Sequence, residues 1–110
     1  MTIRSEKTLN LVFSALADPT RRAILEALSQ GHANVSELAE PFDISLPAIS
    51  KHLRVLEVAG LIVRERDGRI HRMHLQREPL KDAAAWLDRY RSFWKARFDS
   101  LDSFLDKTKK

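Results

Sequence analysis

One stretch of the chain, residues 45–60, carries the side chains with the clearest chemistry. Ser50, Lys51 and Arg54 fall on one side of this stretch if it is helical, and no acid joins them before Glu57. Hydroxyl groups and long cations of this kind can hydrogen-bond polar edges and neutralise phosphates. The stretch is therefore suited to a polyanion with a readable edge.

Both ends of this stretch carry helix signals. Ser45 is a good N-cap, and Pro47 costs little in a first turn because its missing amide N–H would have no intrahelical partner there. Gly60 can adopt the positive φ that ends a helix. An apolar stripe at helical spacing predicts the buried side of this helix: Ile49, Leu53 and Leu56.

The charge of the chain is concentrated around the same region. The net charge is +4 over 110 residues. Residues 51–77 hold seven Lys or Arg against three acids, and the remaining twelve bases and twelve acids cancel. A neutral body with one basic segment is the electrostatic pattern of a nucleic-acid-binding protein.

Composition narrows the class of protein further. At 110 residues, with 44% hydrophobic and 31% charged residues, the chain is predicted to be a single globular domain, residues 1–110. The absence of cysteine excludes disulfides and thiolate metal sites. Since no signal peptide or membrane-length apolar run is found, we expect a cytoplasmic protein without a membrane partner.

Two helices are predicted to precede the basic region. Apolar residues at helical spacing place the first over residues 5–17, and they are Leu9, Val12, Phe13 and Leu16. Asp18 as N-cap and Pro19 at the first helical position begin the second helix, which ends at Gly31. Arg21 and Arg22 follow this helix start, where cations are disfavoured, so we expect them to have structural roles.

A short third helix leads into the stretch described first. Ser36 is predicted to cap it, and Asp43-Ile44 forms the connection to the helix of residues 45–60. A short helix, a tight turn and a longer helix form a helix-turn-helix unit, here over residues 36–60.

A β-hairpin is predicted next, over residues 61–76. The hydrophobic period changes to two on either side of Asp67-Gly68, which favours a two-residue type I′ loop. That loop would place Arg66 opposite Arg69, and the repulsion between them would be relieved by an anionic partner. The hairpin is therefore interpreted as a wing that touches phosphates.

The last element is predicted to be one long helix, residues 80–106. A helix of this length spans nearly 40 Å, more than one small domain can cover, and its broad apolar face therefore favours packing against a second copy. The first and last helices supply the residues assigned to this dimer interface: Leu9, Val12, Phe13, Leu87, Tyr90, Trp94, Phe98, Leu101 and Leu105.

Four segments in order resemble the ArsR/SmtB family of winged-helix repressors. They are residues 13–25, 35–39, 45–61 and 64–75. The resemblance implies a mostly α fold with a two-stranded β-hairpin wing, in the order ααααββα. It also implies a homodimer clasped by its first and last helices, which presents two recognition helices to a palindromic operator in double-stranded DNA and represses transcription.

The chain departs from the metal-sensing members of that family. Asn34 and Ser36 stand where such members place cysteines, and the last helix contains acids but no histidine. His71 and His74 point to opposite faces of a strand, so they cannot chelate one ion within a subunit. We therefore expect no metal and no cofactor. What the protein senses, if it responds to an effector, is left open by the sequence.

The expected DNA contacts lie on the recognition helix and the wing. The leading end of the helix enters the major groove, where Leu46 could touch a thymine methyl, while the wing arginines reach the minor groove or its phosphates. The predicted contacts are Ser45, Leu46, Pro47, Ser50, Lys51, His52, Arg54, Arg64, Arg66 and Arg69.

Two alternatives to a plain repressor remain open from the sequence. One is a small-molecule sensor with an effector pocket beneath the last helix, near Trp86, Tyr90, Phe93 and Trp94. The other is a winged helix that acts as a protein–protein adaptor. No nucleophile–base pair, glycine-rich phosphate loop or metalloprotease spacing is present, so an enzyme is not expected.

Overall fold

The computed structural model describes residues 3–108, with side chains from 6 to 107. Within this range the chain forms six helices and three strands: α1 (Ile3–Leu16), α2 (Pro19–Ser29), β1 (Ala33–Asn34), α3 (Val35–Ala39), α4 (Leu46–Val58), β2 (Ile62–Asp67), β3 (Ile70–Leu75), α5 (Glu78–Asp88) and α6 (Arg91–Thr108). The strands form an antiparallel sheet in the order β1-β3-β2. The winged helix-turn-helix fold predicted from the sequence is confirmed.

The core lies between the first five helices and the sheet. Its members in the described residues are apolar: Val12, Ala15, Ile24, Leu25, Leu28, Leu38, Ile49, Leu53, Leu56, Ala59, Leu61, Ile62, Met73 and Ala83. The assignment of Val12 to the dimer interface is wrong, because its side chain is 0% exposed within a single chain. Val12 lies on the inner side of α1, where it packs in this core and leaves no surface for a partner.

A third strand joins the predicted hairpin. Ala33 pairs with Met73 and Asn34 with Arg72, so β3 is the central strand of the sheet. The sequence did not reveal β1, since two residues are too few to show a period. The strand fixes the start of α3 against the base of the wing.

The short helix α3 begins two residues earlier than the sequence suggested. Its N-cap is Asn34, not Ser36. The Asn34 side-chain oxygen accepts from the Glu37 amide at 2.8 Å, and the Asn34 amide donates to the Glu37 carboxylate at 3.0 Å. This reciprocal capping box satisfies two amides at once, which one serine hydroxyl could not do.

The wing turn is shifted by one residue from the prediction. Asp67 pairs with Ile70, so the loop residues are Gly68 and Arg69, and Arg66 faces His71. Gly68 has φ +64°, and no non-glycine residue described has a positive φ. Glycine therefore occupies the first central position, as in a type II′ turn. In the predicted type I′ loop both Asp67 and Gly68 would have had positive φ, whereas in the structure Asp67 belongs to the strand and only Gly68 has positive φ.

The last predicted helix is in fact two helices, α5 and α6, separated at Arg89 and Tyr90. The turn at the end of α5 tightens, with the Arg89 amide donating to the Trp86 carbonyl at 3.3 Å and the Tyr90 amide to the Leu87 carbonyl at 3.0 Å. Neither proline nor glycine marks the break, and the apolar period runs through it. The difference arises from packing, since α5 contacts α1 whereas every side chain described in α6 is exposed.

Candidate nucleic-acid interface

Helix α4 is oriented by its caps and by its buried side. The Ser45 hydroxyl accepts from the Ala48 amide at 3.3 Å, as predicted. At the other end Gly60 has φ +75°, and its amide donates to the Glu57 carbonyl at 2.9 Å. The Leu61 amide reaches the Leu56 carbonyl at 3.0 Å, which completes a Schellman motif.

The opposite face of α4 is open to solvent. Ile49, Leu53 and Leu56 are fully buried, so the helix cannot turn without losing its core contacts. The residues left outside are those predicted to contact DNA: Ser45, Leu46, Pro47, Ser50, Lys51 and Arg54. Among the described residues neither Lys51 nor Arg54 has an ion-pair partner. Their charge is available to an external anion.

The wing arginines divide into exposed and paired side chains. Arg66 and Arg69 are exposed near the tip, without an ion-pair partner in the part of the chain that the structure describes. Arg72 instead donates to Asp67 at 3.0 Å. The wing tip therefore presents two free cations, beside one that is locally neutralised.

Arg64 connects the wing to the recognition helix. Its guanidinium donates to the Glu57 carboxylate at 2.8 Å and lies 2.8 Å from His71 Nδ1. With its charge opposed by Glu57, Arg64 is less available to a phosphate than Arg66 or Arg69. Its clearest role in the structure is to hold the base of the wing against the end of α4.

A cleft of about 370 Å³ lies between α4, the wing and the start of α3. It brings together three residues predicted to contact DNA, Ser50, Arg64 and Arg69. Asn34 and Ser36 also line it. This polar cleft joins the helix and the wing into one cationic surface.

His52 is held inside the fold rather than fully presented to solvent. Its side chain is 23% exposed, and its Nδ1 lies 3.2 Å from Arg21 Nη1. Because a guanidinium can only donate, His52 accepts through Nδ1 and carries its proton on Nε2. Arg21 thereby fixes the tautomer of a residue on the recognition helix.

Arg21 and Arg22 have structural roles, as predicted. Arg21 donates to the carbonyls of Ala15 at 2.7 Å and Ser14 at 3.1 Å, and Arg22 donates to Leu16 at 2.7 Å. These are the last carbonyls of α1, where cations are favoured by the helix dipole. The two arginines belong to the start of α2 in sequence but cap the end of α1.

Asp18 completes this junction as the N-cap of α2. The Arg21 amide donates to its carboxylate at 3.1 Å, and this hydrogen bond holds the pKa of Asp18 below the ordinary value of 3.8. The charge of Arg21 lowers the pKa of Asp18 further, and the Nδ1 atom of His52 lies 3.9 Å from the Asp18 carboxylate. The α1–α2 junction and the recognition helix are thus linked through one polar network.

The aromatic rings near the C-terminus do not enclose one pocket. Trp86 packs edge-to-face on Phe13 with ring centroids 5.6 Å apart, and it lines a cleft beside α1. Trp94 lines a different groove, with Leu87 and Phe98. The single effector pocket expected beneath these rings is therefore divided between two surfaces.

The described residues contain no cluster of three or more metal-ligating side chains. Between residues 3 and 108, no helix has the length and apolarity needed to cross a bilayer.

Sequence reasoning missed two contributors to this surface. The Arg21–His52 contact joins residues far apart in the sequence, and no local pattern indicates it. Asn34 and Ser36, which are not among the predicted DNA contacts, both line the cleft beside Ser50. An Asn three residues before Glu37 was the available signal for the cap.

Comparison with known proteins agrees with this fold and surface. A helix-turn-helix domain family matches residues 16–65. The transcriptional repressor SdpR of Bacillus subtilis is 40% identical over 79 residues, which cover 72% of this chain and 88% of that protein. The arsenical resistance operon repressor of Staphylococcus xylosus is 34% identical, over 67% of this chain and 71% of that protein.

Solved structures give the same result. The crystal structure of an ArsR family transcriptional regulator matches with a TM-score of 0.76 and 46% identity, over 82% of this chain and 93% of that one. An ArsR-like transcriptional regulator from Rhodococcus sp. RHA1 matches with a TM-score of 0.71 and 31% identity, over 93% of this chain and 96% of that one. The chain therefore belongs to the ArsR/SmtB family of winged helix-turn-helix regulators, and it is a DNA-binding transcriptional regulator, not an enzyme.

Proposed function

We propose that the protein is a homodimeric, cytoplasmic repressor that binds a palindromic operator and needs neither metal nor cofactor to do so. The observation that carries the proposal is the pairing of two surfaces on one chain. One is the free cationic face formed by α4 and the wing. The other is the exposed apolar face of α5 and α6.

Homodimerisation is supported by the exposure of the C-terminal helices. Every side chain from 91 to 107 is exposed, including large apolar ones such as Trp94 at 56% and Phe98 at 61%. A stripe of this size on a solvated helix favours a protein partner. The proposed interface comprises helices from residues 5–17 and 80–106, with these residues at its centre: Leu9, Phe13, Leu87, Tyr90, Trp94, Phe98, Leu101 and Leu105.

Two-fold symmetry then sets the form of the DNA site. Each protomer would place the leading end of α4 in a major groove, with half-sites about one helical turn, roughly 34 Å, apart. Lys51 and Arg54 would take guanine edges or phosphates, and Leu46 a thymine methyl. Arg66 and Arg69 would reach the adjacent minor groove and its phosphates.

Ser45, Pro47 and Ser50 support the approach of α4 in this arrangement, since small side chains let the helix end come close to the bases. Arg64 and His52 have roles tied to the fold, the first through Glu57 and the second through Arg21. His52 would donate to a phosphate only through its Nε2–H.

The test is selection of bound DNA from a random library. It is followed by equilibrium binding of the protein to the selected site and to the promoter of its own gene. We expect an inverted repeat, bound by two protomers, with affinity that falls steeply as salt rises. Recovery of DNA without inverted symmetry would refute the dimeric arrangement. Binding that is absent, or that ignores salt, would refute DNA recognition by this surface.

A further inference from the structure

A second surface lies in a groove between α2 and α5, and it shares no lining residue with the cleft beside Ser50. Its volume is about 550 Å³, within the range of small-molecule sites. Aliphatic side chains form its floor: Leu16, Leu25, Leu75, Leu80 and Ala84. The groove is therefore large and apolar enough for the hydrocarbon body of a small ligand.

Three cations surround this apolar floor. Arg22, Arg77 and Lys81 line the groove, against a single acid, Glu26. Arg22 already donates to the Leu16 carbonyl. Arg77 and Lys81 have no side-chain hydrogen bond or ion pair with any residue that the structure describes. The charges of Arg77 and Lys81 are therefore available to an external anion.

The placement of these two cations is unfavourable without a ligand. Arg77 and Lys81 are four residues apart at the start of α5, so like charges lie side by side on one helix face. Arg77 is also the N-cap residue of α5, at the positive end of the helix dipole, where cations are disfavoured. A bound anion would relieve both effects.

We propose that this groove binds a small amphipathic carboxylate, with its apolar body on the leucines and its carboxylate between Arg77 and Lys81. One negative charge suits the rim better than a phosphate, because Glu26 would oppose a second. The groove differs from the pocket expected beneath the aromatic helix, and it shares with that region only the edge at Ala84.

The position of the groove links a ligand to DNA binding, and this part of the inference rests on the proposed function. The groove spans α2, which packs on α4, and α5, which packs on α1. A ligand between α2 and α5 would bias the angle between the recognition helix and the dimer helices. By thermodynamic reciprocity, such a ligand changes the affinity for DNA as much as DNA changes the affinity for the ligand.

Calorimetry of the full chain without DNA tests the site itself. Decanoate is the probe, and decanol is its uncharged counterpart with the same tail. We expect decanoate to bind once per protomer and about tenfold more tightly than decanol, the effect of two partly exposed ion pairs. Equal binding of the two compounds, or no binding of decanoate, would overturn the proposal.

Matched variants locate the probe. The double substitution Arg77→Gln/Lys81→Gln should weaken decanoate binding about tenfold and leave decanol unchanged. The control Lys95→Gln/Lys107→Gln removes the same charge from α6 and should bind like the wild type. Ser29→Trp, which fills the groove from α2, should block both probes. If the control and the groove variants lose binding equally, the probe lies elsewhere and the site is refuted.

A separate measurement tests the regulatory role. Decanoate should change the affinity of the wild type for the selected operator by several-fold, and the Arg77→Gln/Lys81→Gln variant should not respond. Calorimetric binding without any change in operator affinity would refute regulation while leaving the site in place. Failure to bind operator at all would refute the proposed function, and the calorimetric result would still stand.

Discussion

At the scale of single residues, pairing within the fold divides the cations of the proposed DNA-binding surface into paired and unpaired side chains. Arg64 and Arg72 are neutralised by Glu57 and Asp67. Lys51, Arg54, Arg66 and Arg69 are exposed and, among the described residues, lack such partners. A cation that is already paired within the fold gains less from a phosphate than an unpaired one. We therefore expect the four unpaired side chains to contribute more to DNA binding than Arg64 and Arg72.

Alanine substitution of Lys51 or Arg54 should weaken operator binding. Loss of a base contact costs about 1–3 kcal/mol and relaxes specificity at one base position. Fluorescence anisotropy with the selected site and single-base variants measures both effects. Lys107→Ala removes the same charge from the far end of α6 and should bind normally. Equal losses in the Lys51, Arg54 and Lys107 variants would show that net charge alone matters.

The wing tip should act through phosphates. Arg66→Ala and Arg69→Ala should weaken all DNA sequences alike, and each should lower the slope of log K against log salt by about one unit, because each removes one phosphate-binding cation. Arg72→Ala is the matched control, because Asp67 already neutralises that guanidinium. A salt titration compares the three variants. A slope change as large for Arg72 as for Arg66 would contradict this distinction.

Asp18 should make folding sensitive to acid. Its pKa is lowered in the folded state, chiefly by the hydrogen bond from the Arg21 amide. The stabilisation by the ionised carboxylate is therefore complete above the pKa that Asp18 has in the unfolded chain. It is lost as the pH falls through the lower pKa that Asp18 has in the folded protein. We expect Asp18→Ala to lower the thermal midpoint at neutral pH, and the difference from wild type to shrink below pH ~4. A difference that is constant with pH would contradict the role of the charge.

At the scale of elements, the wing depends on one glycine. Gly68 has φ +64°, and a Cβ added there would meet no atom within 4 Å. The cost of Gly68→Ala is therefore backbone strain alone, about 1 kcal/mol. Urea unfolding should show this loss for alanine and a smaller one for Gly68→Asn, since asparagine tolerates positive φ better. Equal losses would mean that the turn does not need the positive φ.

At the scale of the whole molecule, α6 gives the chain its elongated shape, with extents of 66 × 37 × 21 Å. A helix that packs so little on its own domain adds surface without adding a core. In the proposed dimer a second copy would cover this exposed apolar surface, so we expect oligomeric state and DNA binding to change together.

Phe98→Glu should separate the protomers by placing a charge in the proposed interface. Ser103→Glu adds the same charge on the opposite side of α6, given 3.6 residues per turn, and should leave the dimer intact. Sedimentation equilibrium should show a monomer only for Phe98→Glu, and that variant should lose high-affinity operator binding. A dimer that persists in Phe98→Glu would place the interface elsewhere.

Local signals were sufficient for much of the fold. The caps Asp18 and Ser45, the ending glycine Gly60 and the buried stripe of α4 could all be predicted, since each depends on residues within one or two turns. The wing was predicted as an element but with its register shifted by one residue. In the structure Asp67 pairs with Ile70 and belongs to the strand, and the dipeptide Asp67-Gly68 alone does not show this pairing.

The sequence by itself predicted the recognition helix and its cationic side chains, because periodicity, caps and charge are local properties. The family was indicated by the resemblance of four collinear segments. Only the tertiary structure showed that Val12 lies in the core and that the predicted C-terminal helix is divided into α5 and α6. It alone also showed the contact between Arg21 and His52. It also brought α2 and α5 together around the cationic groove. These features depend on packing between segments distant in the chain, and local patterns do not encode such contacts.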